Sequence, residues 1–204
     1  MSENGQEIEA KFYVQDLDRI RTCLEGLNAH PIQSRILETN IRFDLPDASL
    51  RSEKRVLRLR QDTNARLTYK SASTNNQGVL SRTEIEFIVD DFEKAKRFLE
   101  ALGYQSIFYY EKYRATYELN ETLIMLDELP YGNFVEIEGE NVGSIRVSAQ
   151  QLNLDWDTAV ATSYNALFER VRKVLKFSFQ DLSFANFVNM TVDASDLEVR
   201  AADS

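Results

Sequence analysis

Ionised residues recur at every second position in one short segment after another of this chain. Glu7, Glu9 and Lys11 stand in EIEAKF, Arg58 and Arg60 in VLRLR, and Lys70 closes RLTYK. Arg82, Glu84 and Glu86 occupy RTEIEF, Lys112 and Arg114 occupy EKYR, and Glu136 with Glu138 occupies VEIEG. A spacing of two places side chains on one face of a β-strand, and the residues between them (Ile8, Leu59, Ile85, Ile137) are apolar and suit the other face. One such row, Glu84 with Glu86 for instance, reads most simply as the wet face of an antiparallel sheet. Many rows carrying both signs call for more. They suit a closed sheet whose interior holds metal ions and a polyanion.

A chain of 204 residues fits one domain with a substantial core. With 28% charged and 43% hydrophobic residues it has ordinary globular composition. The net charge of -9 argues against a general nucleic-acid binder, which presents a basic face. It leaves room for a small anion, because the local field inside an enclosed site decides binding there. The one cysteine, Cys23, permits no internal disulfide, and a reducing compartment is expected. Without an apolar run of about 18 residues no membrane partner is expected. MSENGQEIEA has neither the basic nor the apolar region of a signal peptide, so the expected location is the cytoplasm.

Periodicity predicts a strand over 6–14, then an amphipathic helix over 16–27 with Leu17, Ile20, Leu24 and Leu27 on one side. Strands are predicted near 33–44, 53–61, 65–72 and 80–89, separated by turn-rich DLPDAS and SASTNNQG. A helix over 90–104 stops at Gly103, and strands follow near 106–119, 122–129 and 133–140. Beyond Gly143 the pattern predicts a short helix over 144–152 and a long one over 157–175 capped by Asp155. The expected organisation is one domain over 1–178 and a partly packed tail over 179–204. Eight strands with outer helices imply an α+β fold built on a closed eight-stranded antiparallel barrel, since closure removes exposed edges.

EIEAKF resembles the E-x-E-x-K signature of the CYTH superfamily, the triphosphate tunnel metalloenzymes. That group includes class IV adenylate cyclases, thiamine triphosphatases and inorganic triphosphatases. The resemblance runs through RFD at 42–44, LRLR at 57–60, YK at 69–70, RTEIEF at 82–87 and EKYRATY at 111–117. It continues through LDELPYGNFVEIEG at 126–139 and SY at 163–164, covering roughly residues 6–170. It implies an eight-stranded tunnel, with Glu7, Glu9, Asp127, Glu136 and Glu138, and additionally Glu84 and Glu86, around Mg²⁺ or Mn²⁺. It implies a triphosphate cradle of Lys11, Arg58, Arg60, Lys70, Arg82, Lys112 and Arg114, of which Lys11, Lys112 and Arg114 are the expected catalytic residues. Arg42 stands where many relatives carry an aromatic residue and is left outside the expected site.

Hard carboxylate oxygens suit Mg²⁺ or Mn²⁺, and Lys and Arg suit phosphate oxygens. Phosphoryl transfer needs alignment and charge neutralisation more than covalent help. The expected function is metal-dependent hydrolysis of an inorganic or organic triphosphate. The alternative is cyclisation of ATP to cyclic AMP and pyrophosphate, and a third reading is a binding module without turnover. The expected partner is a small triphosphate substrate, with no nucleic acid, in a monomer or homodimer. His30 reads as a surface residue, Cys23 and Trp156 as packing residues, and Tyr109, Tyr110, Tyr113 and Tyr117 as strand aromatics. PYGNF reads as a turn, and no P-loop motif occurs.

Overall fold

The computed structural model describes residues 6–76 and 79–204, and of Gln6, Glu7, Asn75 and Asn76 the backbone alone. Nine strands are formed: β1 (Gln6–Val14), β2 (His30–Asp44), β3 (Val56–Gln61), β4 (Ala65–Lys70), β5 (Thr74–Asn76), β6 (Val79–Val89), β7 (Gln105–Leu119), β8 (Thr122–Leu129) and β9 (Gly132–Glu138). They run β1-β9-β8-β7-β2-β3-β4-β6, and β6 pairs back onto β1, so eight strands close an antiparallel ring. The short β5 extends the free edge of β6. The fold is α+β, with helices outside the ring.

Alternation decides which side chains enter the ring. Apolar residues of β1, β8 and β9 (Ala10, Phe12, Ile124, Leu126, Val135 and Ile137) face outward. There they pack against α1 (Leu17–Gly26) and α4 (Val142–Gln151), which contribute Ile20, Leu24, Ile145 and Ala149. Asp16 caps α1 by accepting from Arg19 N at 2.9 Å, and Asn141 caps α4 by accepting from Ser144 N at 3.0 Å. A second core lies under α3 (Phe92–Ala101), whose Leu99 packs on Ile41, Phe43 and Leu59. Truncating a fully buried aromatic such as Phe12 costs about 3–5 kcal/mol. Gly132 opens β9 at φ +149, where a Cβ would lie 2.9 Å from the Tyr13 ring.

Three expectations are corrected. The turn-rich stretches hold short elements, α2 (Ser49–Ser52) after DLPDA and β5 within SASTNNQG, and β3 begins only at Val56. The helix over 157–175 is instead a 3-10 turn (Trp156–Thr158), an extended break, and α5 (Tyr164–Leu175). Asp155 caps the turn alone, accepting from Asp157 N at 3.0 Å, while Ser163 caps α5. The break has a cause. Beyond Glu9 the β6-side edge of β1 is open, and Val160 N donates to Lys11 O at 2.7 Å to cover it.

Residues past α5 also serve strand edges. Leu182 N donates to Tyr109 O at 3.0 Å and Glu111 N donates to Leu182 O at 2.9 Å, along the part of β7 that β8 does not reach. Ala202 N donates to Tyr13 O, and the Asp203 carboxylate accepts from Gln15 N and Asp16 N. α6 (Phe184–Phe187) and α7 (Ala194–Leu197) bury Phe187 and Leu197. With Phe168 of α5 they form an apolar plug against Phe108, Tyr110 and Phe134, at the end of the ring where β7 and β9 begin. Among the described residues no helix is long and apolar enough to cross a membrane.

Candidate functional site

The ring encloses a cavity of about 500 Å³. Among the described residues nine basic and seven acidic side chains line it, so this described wall is net positive in a chain that is net negative. Lys11, Arg58, Arg60, Lys70, Arg82, Lys112 and Arg114, the expected phosphate cradle, all line this cavity. Glu9, Glu84, Glu86, Glu136 and Glu138 line it too. Glu7 sits on β1 opposite Arg82 of β6, and its side chain lies outside the described residues.

The charges are interleaved. Lys11 Nζ lies 3.2 Å from Glu136 Oε1, and Arg114 Nη2 donates to Glu136 Oε2. Arg60 Nη2 donates to Glu86 at 2.9 Å, Thr68 Oγ1 donates to Glu86 at 2.7 Å, and Lys70 pairs with Glu84 at 2.9 Å. Arg82 reaches Glu9 at 3.4 Å. Burial pushes the Glu136 carboxyl upward, but Lys11, Arg114 and Lys112 outweigh it and hold the group well below the usual range. The Arg114 guanidinium is held well above its ordinary value because Asp127, Glu38 and Glu136 outweigh burial. Glu136 and Arg114 stay ionised, and their mutual pairing offsets the cost of desolvation.

Asp127 occupies a different place from its expected neighbours. It is fully buried on β8, outside the described lining of the cavity. Its Oδ1 accepts from Arg114 Nε at 2.6 Å, and its Oδ2 accepts from Arg114 Nη2 at 2.5 Å, Lys112 Nζ at 2.9 Å and Tyr164 Oη at 2.8 Å. Both oxygens are occupied, so Asp127 orients two cations from beneath. No group of three or more potential ligand side chains converges on one point among the described residues.

Four further side chains belong to the site. Glu38 on β2 is 1% exposed and lies 3.5 Å from Lys112 Nζ and 3.6 Å from Arg60 Nη1. Burial raises its pKa, but Lys112, Arg114, Arg60 and Arg58 pull it down to about 2. Tyr110 lines the cavity beside Arg58; burial opposes its ionisation, while Arg58, Lys112 and Arg42 bring its pKa below the usual phenol value. Tyr164, the first residue of α5, places its ring 3.9 Å from Lys11 Nζ. Arg42 lines the cavity with no carboxylate at salt-bridge distance among the described residues. Burial, with Arg58 and Arg82, outweighs the support of Tyr110 and Asp44 and brings its pKa below the ordinary guanidinium value. The parity that marks Lys112 and Arg114 as inward also marks Tyr110, and that of Arg42 marks Glu38. Tyr164 arrives from another element, beyond the reach of any spacing rule.

On the β2–β3 wall several donors lack protein partners. Asn40 is fully buried opposite Arg60 and Tyr110, outside the described lining of the cavity, and neither atom of its amide has a hydrogen-bond partner among the described residues. Arg58 Nε is likewise unpartnered. Buried polar atoms of this kind point to a bound species.

The CYTH domain family model matches residues 5–151. The chain is 28% identical over 134 residues to the "Putative adenylate cyclase" of Methanocaldococcus jannaschii, covering 65% of this chain and 75% of that one. A Vibrio parahaemolyticus structure described as a "putative adenylate cyclase" superposes with a TM-score of 0.74 at 19% identity, over 82% of this chain and 99% of that one. A Hippeastrum structure, titled a "putative adenylyl cyclase" with "dominant" triphosphatase activity, superposes with a TM-score of 0.59 at 20% identity. It covers 80% of this chain and 95% of that chain. With the family model matched over most of its length and the same closed ring of strands, the chain belongs to the CYTH family.

Proposed function

We propose that this protein is a divalent-metal-dependent enzyme that binds a triphosphate inside its ring of strands and hydrolyses it. The observation that carries this reading is the net positive cavity wall, on which Arg58 Nε has no hydrogen-bond partner among the described residues. Arg58, Arg60, Lys70 and Arg114 supply forks and point charges for the phosphate oxygens. Lys11 and Lys112 are the cations assigned here to the charge that develops as a phosphoryl group leaves, and Asp127, Glu38 and Tyr164 hold them in place.

The fit of a hard dication is supported by charge and donor chemistry. A triphosphate brings roughly four negative charges, about two more than the basic excess of the wall, and one Mg²⁺ or Mn²⁺ closes that gap. Such ions bind through one or two carboxylates, with phosphate oxygens and water completing the shell, so a three-carboxylate cluster is not required. Glu9 and Glu138, directly opposite on β1 and β9, with Glu136 one step inward, are the residues that would hold it. When bound, the ion supplies neutralisation of the phosphate oxygens and activation of the attacking oxygen.

A second reading, cyclisation of ATP, is favoured by the name of the Methanocaldococcus relative. The same cradle serves both, because the outcome depends on whether water or the ribose 3′-hydroxyl attacks. The test is incubation of the purified protein with tripolyphosphate, ATP and thiamine triphosphate, each with Mg²⁺ and with Mn²⁺, followed by product identification. Orthophosphate release supports hydrolysis, cyclic AMP with pyrophosphate replaces it by cyclisation, and no product under any metal overturns both.

A further inference from the structure

The last stretch of β6 outruns its neighbour. β1 meets β6 between Leu80 and Thr83, and among the described residues no strand pairs with that edge of β6 beyond Thr83. β4 lies along the other edge, from Glu84 to Val89. Ser71 N donates to Thr83 O at 2.9 Å, so the odd-numbered residues of β6 turn their backbone groups toward β4. Glu86 and Ile88 therefore turn theirs toward the edge that described β1 does not reach.

The side chains there are apolar and uncovered. Ile85, Phe87 and Ile88 are 56%, 53% and 60% exposed, whereas α3 covers β3, and α4 covers β1 and β9. An open apolar edge is a template for another strand, and chains that avoid such pairing blunt the edge with lysine or proline. Neither occurs between Glu84 and Val89.

The segment's own sequence fits this edge in one register. Strands that meet across a twofold axis run antiparallel and set one residue against its own copy, and opposed residues share a face. Centred on Glu86, the pair sets two carboxylates against each other; centred on Ile85, it sets Glu84 against Glu86. Like charges so placed are destabilising. Centred on Ile88, the overlap covers Phe87 to Val89 alone, because β6 ends there. Centred on Phe87, the overlap runs from Ile85 to Val89 without a like-charge pair. Glu86 then faces Ile88, Ile85 faces Val89, and the two Phe87 rings meet. Glu84 falls opposite Asp90, past the end of β6, where the chain already bends toward α3. The backbone agrees, because Glu86 and Ile88 exchange both N–H···O bonds in this register and Phe87 takes the closer, non-hydrogen-bonded position.

We propose that two copies of this chain associate through this edge, β6 against β6 with Phe87 on the twofold axis. The two rings then share one continuous sheet at the ends away from their plugs. The overlap is short, so the dimer is weak and concentration-dependent.

Sedimentation equilibrium of the full chain, from low micromolar to submillimolar concentration, should show a reversible monomer–dimer equilibrium. A monomer at every concentration overturns the proposal. Phe87→Lys sets like charges against each other on the axis and should raise the dissociation constant about tenfold or more. Dimerisation of that variant as tight as the wild type's puts the interface elsewhere and overturns the proposal. Register is read by air oxidation in a Cys23→Ser background. Phe87→Cys should form a covalent dimer, since the Cα atoms of a non-hydrogen-bonded pair lie about 4.5 Å apart. Ile85→Cys should not, because its copy lies about 14 Å away along the strand. Cross-linking of Ile85→Cys as complete as that of Phe87→Cys, or cross-linking of neither, overturns the pairing.

Discussion

Glu38→Gln isolates one buried charge whose energetics follow from its surroundings. Its carboxyl is 1% exposed and is brought from an ordinary 4.5 to about 2 by Lys112, Arg114, Arg60 and Arg58 against the opposing effect of burial. A depressed carboxylate adds stability above its unfolded pKa and loses it as pH falls through the folded value. At about 1.4 kcal/mol for each tenfold change in proton affinity the displacement corresponds to about 3 kcal/mol at pH 7, of which about 2 kcal/mol has gone by pH 3. The glutamine variant has no such charge to lose. Urea unfolding of both chains across that range should show a gap of about 3 kcal/mol at pH 7 that narrows by about 2 kcal/mol at pH 3. A gap that stays constant on acidification would refute the argument that Glu38 is held ionised by the cations around it.

Other outcomes follow from the same geometry. Asp127→Asn removes the shared anion from Arg114 and Lys112 and should lower stability by about 3–5 kcal/mol in urea unfolding. Arg42→Ala should weaken tripolyphosphate binding about tenfold by calorimetry, a loss of about 1.4 kcal/mol. Its unfolding midpoint should be unchanged or higher, because burial, Arg58 and Arg82 all oppose the charge it loses. Ser163→Ala should cost about 1 kcal/mol through the lost N-cap of α5.

The ring was legible from the sequence because period-two alternation is a local signal, and β1, β7 and β8 fall within a residue of where the pattern places them. The cationic half of the site was legible for the same reason, with Arg58, Arg60, Lys112 and Arg114 facing one cavity. What alternation cannot tell is which inward carboxylate reaches the cavity and which lies beneath it. Asp127 shares the parity of Met125 yet is enclosed by Arg114, Lys112 and Tyr164. The extended break at Val160 was hidden because helical spacing over 157–175 says nothing about an open edge on β1, 149 positions earlier. Arg42 departs from the family pattern, which masks its role, though its parity matches that of Glu38.

Because β1 is hydrogen-bonded on both sides, to β6 and to β9, it remains half-built until β9 has been synthesised. A nascent chain leaving the ribosome therefore carries the β9-side edge of β1 as a sticky hem until its partner arrives. Pairings of such long sequence separation slow folding toward the millisecond-to-second range. Transposing β1 to a position directly after β9, ahead of α4, would make that seam a local hairpin, and the ring should then close sooner.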